Sequence, residues 1–490
     1  MSTRGMPEVA IIGAGLGGLS AAIHLRLAGH PVTVFETGEH VGGRANRLMV
    51  DGIRFDTGPT LLNYPWVFED LFRAAGQVMD QHVRLHRVDP SIKFYWPDGR
   101  HLTLSSRLEF LQQEFERLEP GAARALDLFL RDAGQKFRFT FTKLVPNDSD
   151  NPISYFACLS ARELLASALW RSMYGELRRF FNSRYITEAL GSYAMYLGGS
   201  PFRLPGLFTI LPYGELAEGL WLPEGGIYAL VEAIEKLARA LGVVILTKCR
   251  VRRIECTGGQ VRGLALDSGD GFSCRIVASN VDLPSTFEQL LGAPAPKLVM
   301  SPSVITFYWA VRSRPAGLSH HTIFLPSDYR KAFAELLHGR KLPAEPAFYV
   351  ASPPSVQPAC GPEAPAGIFV LVPAPLDCEL ELAGWDSELA RLREFVFARL
   401  RLAGVDLNAS CIQKEVVFTP EQWRTRFGLY RGSAFGAAHT LNQMGPFRPR
   451  NYSRRIRGLY FAGASTTPGT GLPMVDLSGM LAARRIAPHV

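Results

Sequence analysis

The N-terminal part of the chain alternates between short apolar runs and one stretch with helical spacing. Glu8–Ile12 is a mostly apolar run that predicts a buried strand. Small and apolar residues then follow with helical spacing over Leu19–Ala28, and Gly29 provides a natural stop for a helix. Pro31–Phe35 predicts a second buried strand. The first 36 residues therefore predict a strand, a helix and a strand, which is a typical opening of an α/β fold.

Similar patterns recur in the rest of the chain, and Gly258-Gly259 predicts a hairpin turn between two of the later strands. The predicted strands are Val243–Leu246, Cys249–Cys256, Val261–Leu266, Phe272–Ser279, Phe307–Ala310, Phe348–Ala351, Ile368–Val372 and Arg457–Ala462. The predicted helices lie within Arg107–Lys136 and 154–190, and over Ile227–Leu241 and Leu477–Ile486.

The loop after the first strand carries three spaced glycines. Gly13 permits a tight turn off the strand, Gly15 lets the backbone approach a pyrophosphate, and Gly18 lets the helix pack close to the strands. The helix N-terminus adds free N–H groups and the positive end of the helix dipole. Glu36 ends the second strand, where its carboxylate can accept hydrogen bonds from ribose hydroxyls. Together these signals predict a dinucleotide site, and the carboxylate disfavours NADP because it repels a 2′-phosphate.

Two further segments have the chemistry of anion-binding turns. Gly42-Gly43 follows the second strand and precedes Arg44, which predicts a second phosphate-facing loop with a cation at its end. Near the C-terminus a strand leads into Gly463–Val475, a glycine-rich turn that opens onto the last helix. The sequence has neither a second dinucleotide fingerprint for a nicotinamide nor a G-x-S-x-G nucleophile motif.

Together with F-D-T-G-P-T at Phe55–Thr60 and P-G-T-G-L-P at Pro468–Pro473, these motifs resemble the bacterial phytoene desaturase (carotenoid desaturase) family within the FAD-dependent amine oxidase superfamily. The resemblance spans nearly the whole chain and is weakest over 85–185. It implies FAD as the cofactor, with Arg44 and the 55–60 loop near the flavin and Val251 beside the adenine. The cofactor-binding residues predicted from the fingerprint and the resemblance are Gly13, Gly15, Leu16, Gly18, Glu36, Gly43, Arg44, Gly58, Pro59, Thr60, Val251, Asn280, Gly463, Ala464, Met474 and Val475.

Two positions depart from the family's pattern. Ser465 stands where the family carries a glycine in the C-terminal turn. Asp476, near the start of the last helix, stands where an apolar residue is usual. We expect Asp476 either to cap that helix or to oppose negative charge on a reduced flavin.

The resemblance also implies an interleaved α/β architecture with two domains. A discontinuous, Rossmann-like FAD-binding domain would comprise residues 1–80, 219–295 and 425–490. A mixed-sheet and helical domain for substrate binding and membrane association would comprise residues 81–218 and 296–424. Within the second domain, residues 192–215 would border the substrate channel.

The activity implied by the resemblance is desaturation of a linear carotene precursor, either phytoene or its C30 analogue. A hydride would pass from an allylic carbon to flavin N5, and loss of a neighbouring proton would complete a conjugated double bond. We name no catalytic base, because the cationic intermediate makes that proton acidic. Oxygen or a quinone would reoxidise the flavin. Carotenoid oxidases, carotenoid isomerases and hydroxycarotenoid desaturases of the same fold are alternatives, and an amine oxidase or a non-catalytic FAD-bound membrane or scaffold protein is more distant.

Charge and composition add a prediction about the surface. The 490-residue chain has a net charge of +8, but its basic residues form no run of five or more, so a nucleic-acid partner is not expected. Segment 154–190 combines aromatic and aliphatic residues with Arg171, Arg178, Arg179 and Arg184. Core helices and helices lying on a bilayer surface explain this pattern about equally well. Because we find no signal peptide and no run of about 18 apolar residues, we predict a cytoplasmic protein bound peripherally to the inner face of the membrane.

The sequence gives little support for a metal site or for disulfide bonds. The seven cysteines are scattered and form no C-x-x-C pair, which argues against a zinc site of the usual spacing and against a disulfide framework. His320 and His321 are adjacent, but no third ligand stands near them in the sequence. We therefore predict no metal site.

Overall fold

The computed structural model describes residues 7–338, 341–353, 364–376 and 385–487. Its strands are β1 (Val9–Ile12), β2 (Val32–Phe35), β3 (Arg47–Val50), β4 (Ile53–Asp56), β5 (Leu85–Val88), β6 (Lys93–Tyr95), β7 (His101–Thr103), β8 (Leu220–Pro223), β9 (Val244–Leu246), β10 (Val251–Thr257), β11 (Gln260–Leu266), β12 (Gly271–Ser273), β13 (Ile276–Ser279), β14 (Ser303–Val311), β15 (His321–Phe324), β16 (Phe348–Ala351), β17 (Ala366–Ala374), β18 (Ile412–Phe418) and β19 (Leu459–Phe461). Its helices are α1 (Leu16–Leu27), α2 (Trp66–Ala74), α3 (Leu108–Leu118), α4 (Ala122–Phe139), α5 (Pro152–Phe156), α6 (Ala161–Ala166), α7 (Met173–Leu177), α8 (Arg184–Gly191), α9 (Ile210–Glu218), α10 (Ile227–Ala240), α11 (Leu283–Ser285), α12 (Tyr329–Leu337), α13 (Trp385–Leu402), α14 (Pro420–Phe427) and α15 (Leu472–Ile486).

A five-stranded parallel sheet gathers strands from both ends and the middle of the chain, in the order β19-β13-β1-β2-β9. Val9 of β1 lies opposite Val32 of β2 and Ile276 of β13. Strands β1 and β2 are buried along their whole length, which explains their continuous apolar runs. Helices α1, α10 and α15 pack around this sheet. The predicted α/β fold is confirmed, and the discontinuous segments meet in one sheet.

The stretch predicted as one strand, Phe272–Ser279, forms two strands in different sheets. Phe272 in β12 pairs with Leu264 in an antiparallel three-stranded sheet, whereas Ile276 in β13 pairs with Val9 in the parallel sheet. The prediction failed because the apolar pattern cannot show which partner each half will pair with. The hairpin turn at Gly258-Gly259 is confirmed, since both residues have positive φ between β10 and β11.

A seven-stranded mixed sheet forms the other half of the molecule, in the order β18-β14-β17-β16-β15-β6-β7. Strand β14, the second in this order, is buried at every position, because both faces of the sheet are covered there. Tyr308 packs against Phe55 and Phe418 on one face. Phe307 and Trp309 pack against α13 on the other. This alternation follows from the two-residue period of a strand.

Two helices that face the candidate site begin earlier than their apolar spacing predicts. Helix α1 begins at Leu16 and α15 begins at Leu472, each immediately after a glycine N-cap. Their first turns contain Gly17, Gly18 and Pro473, residues typical of a loop, which hid the helix starts in the sequence. Asp476 therefore lies inside α15 and does not cap it, which corrects one of our two expectations for this residue.

The segment 154–190 forms several short helices, and its arginines are not a free basic face. Glu176 is buried in α7 and forms ion pairs with Arg171 and Arg179, and also with Lys136 of α4. Arg184 pairs with Asp98. The predicted basic face is therefore largely neutralised within the protein.

Some apolar side chains in this segment and just before it remain on the surface. Ile153, Leu165 and Trp170 have 81%, 69% and 61% of their surface exposed, respectively. Within the parts of the chain that the structure describes, no helix is both long enough and apolar enough to cross a bilayer.

Candidate cofactor and substrate site

A cavity of about 1090 Å³ lies at the carboxyl ends of the parallel strands. Ile12, Glu36, Asn280 and Ala462, which end or directly follow strands β1, β2, β13 and β19, all line it. This is the edge of an open α/β sheet at which ligands bind. All of the predicted cofactor residues line the cavity except Gly18.

The glycines of the first loop form a tight turn and an uncapped helix start. Gly13 has a φ of +93°, and its N–H donates to the carbonyl of Phe35 at 2.8 Å, which turns the chain off β1. Gly15 is the N-cap of α1, and this helix start has neither a side-chain cap nor an acidic residue in its first turn. The N–H groups of that turn are therefore available to an anion. Gly42 donates to the carbonyl of Ala14 at 2.8 Å, which places the second glycine turn beside the first.

The Asn280 side chain lies at the centre of this glycine cradle. Added Cβ atoms at Gly15, Gly17 and Gly463 would lie 2.7, 2.8 and 2.9 Å from its amide atoms. The amide donates to the carbonyl of Ala462 at 3.1 Å. Larger residues at these glycines would collide with Asn280, so the cradle presents backbone at close range, as a diphosphate requires.

Gly18 lies behind the cavity wall. An added Cβ there would collide with the carbonyl oxygen of Gly13. This is the close packing of helix and strand that the sequence predicts for Gly18, but the residue does not reach the cavity. We therefore correct its place in the predicted cofactor set to a packing position.

Glu36 is held with its carboxylate at the cavity. Its Oε2 accepts from the N–H of Ala14 at 2.8 Å, and its Oε1 accepts from the N–H of Gly38 at 2.7 Å. Each carboxylate oxygen has a second lone pair, so the group can still accept from ribose hydroxyls. Val251 and its neighbour Arg252 line the same end of the cavity. These residues fit the adenosine half of a dinucleotide.

Arg44 supplies a positively charged group at the other part of the cradle. Its Nη1 donates to the carbonyl of Ala434 at 2.6 Å, and its own carbonyl accepts from the Thr57 hydroxyl at 3.1 Å. Burial lowers the pKa of Arg44, and the charge of Asp282 opposes that shift. Arg44 forms no ion pair with any residue that the structure describes, so its remaining N–H groups can serve an anionic or carbonyl-bearing ligand.

The acid of the F-D-T-G motif has a structural role. The two carboxylate oxygens of Asp56 accept from the N–H groups of Ile227 and Tyr228 at 2.8 and 2.9 Å. Asp56 thereby caps the N-terminus of α10 from the end of β4. This cap holds the 57–60 segment in place at the cavity.

The C-terminal turn is fixed by two contacts that sequence reasoning missed. Ser465, where the family has glycine, donates its hydroxyl to Asp282. Arg448 is buried, and its guanidinium donates to the carbonyls of Thr466 at 2.9 Å and Ala464 at 2.5 Å. Burial lowers the pKa of Arg448 to about 9, while Asp282 opposes that shift. The available signal was an isolated arginine between Phe447 and Pro449, which does not reveal its partners.

Asp476 does not line the cavity. Its side chain is buried, and its backbone carbonyl accepts from the Ser20 hydroxyl of α1 at 2.8 Å. Burial raises the pKa of Asp476 to about 7. The carboxyl is therefore directed into the packing of α15, and the structure gives it no contact with the cofactor side of the cavity.

Beyond Thr60 the lining of the cavity changes from glycines to large apolar side chains. As predicted, the 192–215 segment contributes to this wall. The apolar lining comprises Leu61, Met195, Tyr196, Leu197, Leu207, Phe208, Leu211, Ile323, Phe333, Leu336, Leu337, Ala347, Tyr349, Phe369 and Leu371. Such a wall suits a long hydrocarbon and offers it few polar partners.

Another part of the wall reaches the protein surface. Tyr155, Phe156 and Leu169 line it, and so do Leu441 and Phe447, each of which is 52% exposed. The exposed Ile153, Leu165 and Trp170 lie within four residues of Tyr155 or Leu169 in the chain. The cavity thus has an apolar mouth.

A parallel sheet with a glycine cradle and an acid at its carboxyl edge defines a dinucleotide-binding α/β protein. The family model of flavin containing amine oxidoreductase matches residues 16–487. The chain is 36% identical to zeta-carotene-forming phytoene desaturase of Myxococcus xanthus, over 99% of this chain and 94% of the relative. It is 32% identical to 4,4′-diapolycopene oxygenase of Methylomonas sp, over 99% of both chains. A solved putrescine oxidase triple mutant superposes with a TM-score of 0.63 at 16% identity, covering 99% of both chains.

The chain belongs to the flavin-containing amine oxidoreductase family, in its carotenoid desaturase branch. It is therefore a flavin-dependent oxidoreductase.

Proposed function

We propose that this protein is an FAD-dependent desaturase that introduces conjugated double bonds into a linear carotene precursor, phytoene or its C30 analogue. The observation that carries the proposal is the single cavity in which a glycine cradle for a dinucleotide opens into an apolar tunnel. A redox cofactor and a long hydrocarbon could meet where the two linings join. The names of the relatives, which include a phytoene desaturase, support the same substrate class.

We propose that FAD lies along the predicted cofactor residues that line the cavity. The diphosphate would lie at Gly13–Leu16 and Gly43, the ribose at Glu36 and the adenine at Val251. Asn280 would support the diphosphate from the side. The flavin end would lie among Arg44, Gly58, Pro59, Thr60, Gly463, Ala464, Met474 and Val475.

When bound, FAD would supply the acceptor for the hydride that leaves the substrate. The chain would contribute orientation, because a narrow apolar wall holds a polyene in one alignment with its allylic carbons presented in turn. The same wall would exclude water from a cationic hydrocarbon that water would otherwise trap. The uncapped start of α15 would direct N–H groups and a positive dipole end toward negative charge on the cofactor.

The test of this function is incubation of the FAD-loaded protein with phytoene in liposomes, under air or with a quinone as the electron acceptor. We expect products that absorb at progressively longer wavelength as double bonds join the conjugated system. If phytoene and its C30 analogue stay unchanged while a preformed coloured carotenoid is oxidised or isomerised, the desaturase proposal is wrong.

The similarity to 4,4′-diapolycopene oxygenase favours a second candidate, oxidation of an already desaturated carotenoid. The same apolar tunnel would admit that substrate. Product analysis separates the candidates, because oxidation adds oxygen to the product and desaturation removes only hydrogen.

We also propose that the apolar mouth docks on a membrane surface, from which a lipid-soluble substrate can enter. The support is the exposure of Ile153, Leu165 and Trp170, which lie within a few residues of the mouth residues Tyr155, Phe156 and Leu169 in the chain. Because the nearby arginines are paired, we expect binding to depend more on Trp170 than on lipid charge. Flotation with liposomes should show weaker recovery for Trp170→Ala than for wild type. Equal recovery of the two would count against this docking face.

We propose the domain division that the sequence suggested, with residues 1–80, 219–295 and 425–490 in the FAD-binding domain and 81–218 and 296–424 in the substrate domain. The separate cores of the five-stranded and seven-stranded sheets support it.

A further inference from the structure

We propose that Thr60, Tyr349 and His321 form a relay that takes up the proton released in desaturation and carries it away from the cavity. This inference rests on the proposed desaturase function and adds named proton acceptors to it. It concerns residues of the chain that lie outside the glycine cradle, apart from Thr60.

The three side chains form a continuous hydrogen-bonded chain. The Thr60 hydroxyl lies 2.7 Å from the Tyr349 hydroxyl, and the Tyr349 hydroxyl lies 2.6 Å from Nδ1 of His321. His321 is 1% exposed, and its ring stacks on that of the half-buried His320, with 3.9 Å between the ring centroids. The chain of contacts therefore leads from the cavity wall toward the outside of the seven-stranded sheet.

Thr60 lies at the junction between the glycine cradle and the apolar wall of the cavity. Gly58 and Pro59 precede it in the cradle, and Leu61 and Tyr64 follow it in the apolar wall. This junction is the place where hydride donor and acceptor would come together. A hydroxyl at this point is a hydrogen-bonding group in contact with both parts of the cavity.

The proposed step conserves atoms and electrons. Bound FAD would accept the hydride that leaves one carbon, and a C–H bond on the neighbouring carbon would then break, with its electron pair forming the new double bond. That proton passes to the Thr60 oxygen as the Thr60 proton moves to Tyr349 and the Tyr349 proton moves to Nδ1 of His321. The acceptor is a neutral imidazole that becomes an imidazolium.

The electrostatic surroundings are compatible with this direction of transfer. Burial, together with the charge of His320, holds the pKa of His321 well below its usual range, so the ring is neutral and able to accept at neutral pH. A polyene cation is a far stronger acid than imidazolium, so even a weakly basic imidazole can take its proton. Burial lowers the pKa of His320 to about 4, and the charge of Arg314 contributes to that shift. Burial also raises the pKa of the Tyr349 phenol, and Glu215 of α9 adds to that shift.

The first experiment compares Tyr349→Phe with Tyr308→Phe in the FAD-loaded protein. Tyr308 is a matched control, because its buried hydroxyl also contacts the 57–60 loop, through the carbonyl of Thr57, but lies outside the relay. We expect product formation from phytoene to fall about tenfold or more in Tyr349→Phe relative to Tyr308→Phe. A solvent deuterium isotope effect should be present in wild type and absent in Tyr349→Phe, since a purely structural role would not remove it.

The second experiment needs no substrate. Nitrogen NMR of the holoenzyme with ¹⁵N-labelled histidine should show His321 with a hydrogen-bonded, acceptor-type Nδ1, and this signal should shift in Tyr349→Phe but not in Tyr308→Phe. Wild-type rate and isotope effect in Tyr349→Phe, or a protonated Nδ1 on His321, would overturn the relay while leaving the desaturase function intact. If wild type converts neither phytoene nor its C30 analogue, the proposed function fails and the relay fails with it.

Discussion

The glycine cradle and the apolar tunnel, the two parts of the cavity, are lined by different chemical groups. The cradle presents backbone N–H groups and glycines, and a few short segments supply most of it. The tunnel presents side chains from helices α9 and α12 and from strands β15, β16 and β17, which are far apart in the chain. A charged cofactor needs backbone at close range, whereas a hydrocarbon needs only a continuous apolar surface. We therefore expect single substitutions to abolish function in the cradle and to tune it in the tunnel.

The two parts also share one feature. Each is adjacent to a buried carboxyl group, Asp476 on the cradle side and Glu215 on the tunnel side. Neither forms an ion pair with any residue in the described part of the chain, and one oxygen of each, Oδ1 of Asp476 and Oε2 of Glu215, has no hydrogen-bond partner. Burial raises the pKa of both carboxyls to about 7.

The largest effect is expected in the cradle from Gly15→Val. The added side chain would collide with Asn280 and occupy the diphosphate position. We expect the purified variant to carry essentially no FAD, measured as flavin absorbance per chain. Gly271→Ala is the control, because an added Cβ there lies 3.9 Å from the nearest atom. A fully loaded Gly15→Val protein would refute the cradle assignment.

Glu36→Arg should also abolish FAD binding, since it removes the ribose acceptor and the contacts to the N–H groups of Ala14 and Gly38. Glu36→Gln keeps the shape and one acceptor oxygen, so we expect an intermediate loss of affinity, about tenfold for one charge-assisted hydrogen bond. Flavin release measured by fluorescence would rank the variants. Glu39→Gln, at an exposed residue on the same loop, should bind FAD like wild type.

In the tunnel we expect a change of product, with FAD binding kept. Ala332 lines the wall from α12, and Ala332→Trp would fill part of the tunnel. Because the polyene could then slide less far, products with fewer new double bonds should accumulate. Chromatography of the pigments would show this shift, and Ala334→Trp, on the exposed side of the same helix, should leave the products unchanged. Identical products from both variants would contradict the tunnel assignment.

The smallest effect is a pH dependence of stability shared by both parts. The raised pKa means that the folded state keeps the protons on Glu215 and Asp476 as pH rises from about 4 to 7, while the unfolded state has released them. The free energy of unfolding should therefore fall across that window and stay lower above pH 7. For Glu215, a shift from 4.5 to about 7 corresponds to roughly 3 kcal/mol.

Thermal unfolding of the FAD-loaded protein at pH 5 and pH 8 measures this dependence. Glu215→Gln and Asp476→Asn should each raise the Tm at pH 8 more than at pH 5. Glu218→Gln, at an exposed position on α9, is the control and should change neither value. Equal Tm changes at both pH values would show that these carboxyls are ionised in the folded protein.

The first strand, loop, helix and strand could be predicted from sequence because their signals are local. The buried runs of β1 and β2, the turn at Gly13 and the carboxylate of Glu36 all lie within 36 residues and need no distant partner. The predicted starts of α1 and α15 are too late, because Gly17, Gly18 and Pro473 in their first turns are typical of a loop.

The basic face predicted for 154–190 was only half right, because ion pairing depends on distant residues. Lys136 from α4 and the short segment around Glu176 come together only in the folded chain. Leu165 and Trp170 of that segment, and Ile153 just before it, remain exposed in the described part of the chain.

By itself the sequence determined where glycines expose the backbone at the ends of strands. Because these residues are closely spaced in the chain, they are enough to predict a cradle for a dinucleotide. Only the tertiary structure decided which side chains meet across long separations. The Asp56 cap on α10, the Ser465–Asp282 contact, the buried Arg448 and the chain from Thr60 through Tyr349 to His321 each join segments far apart in sequence. Their hydrogen bonds depend on packing that no local pattern records, since a buried polar group finds its partner wherever the fold brings one within reach.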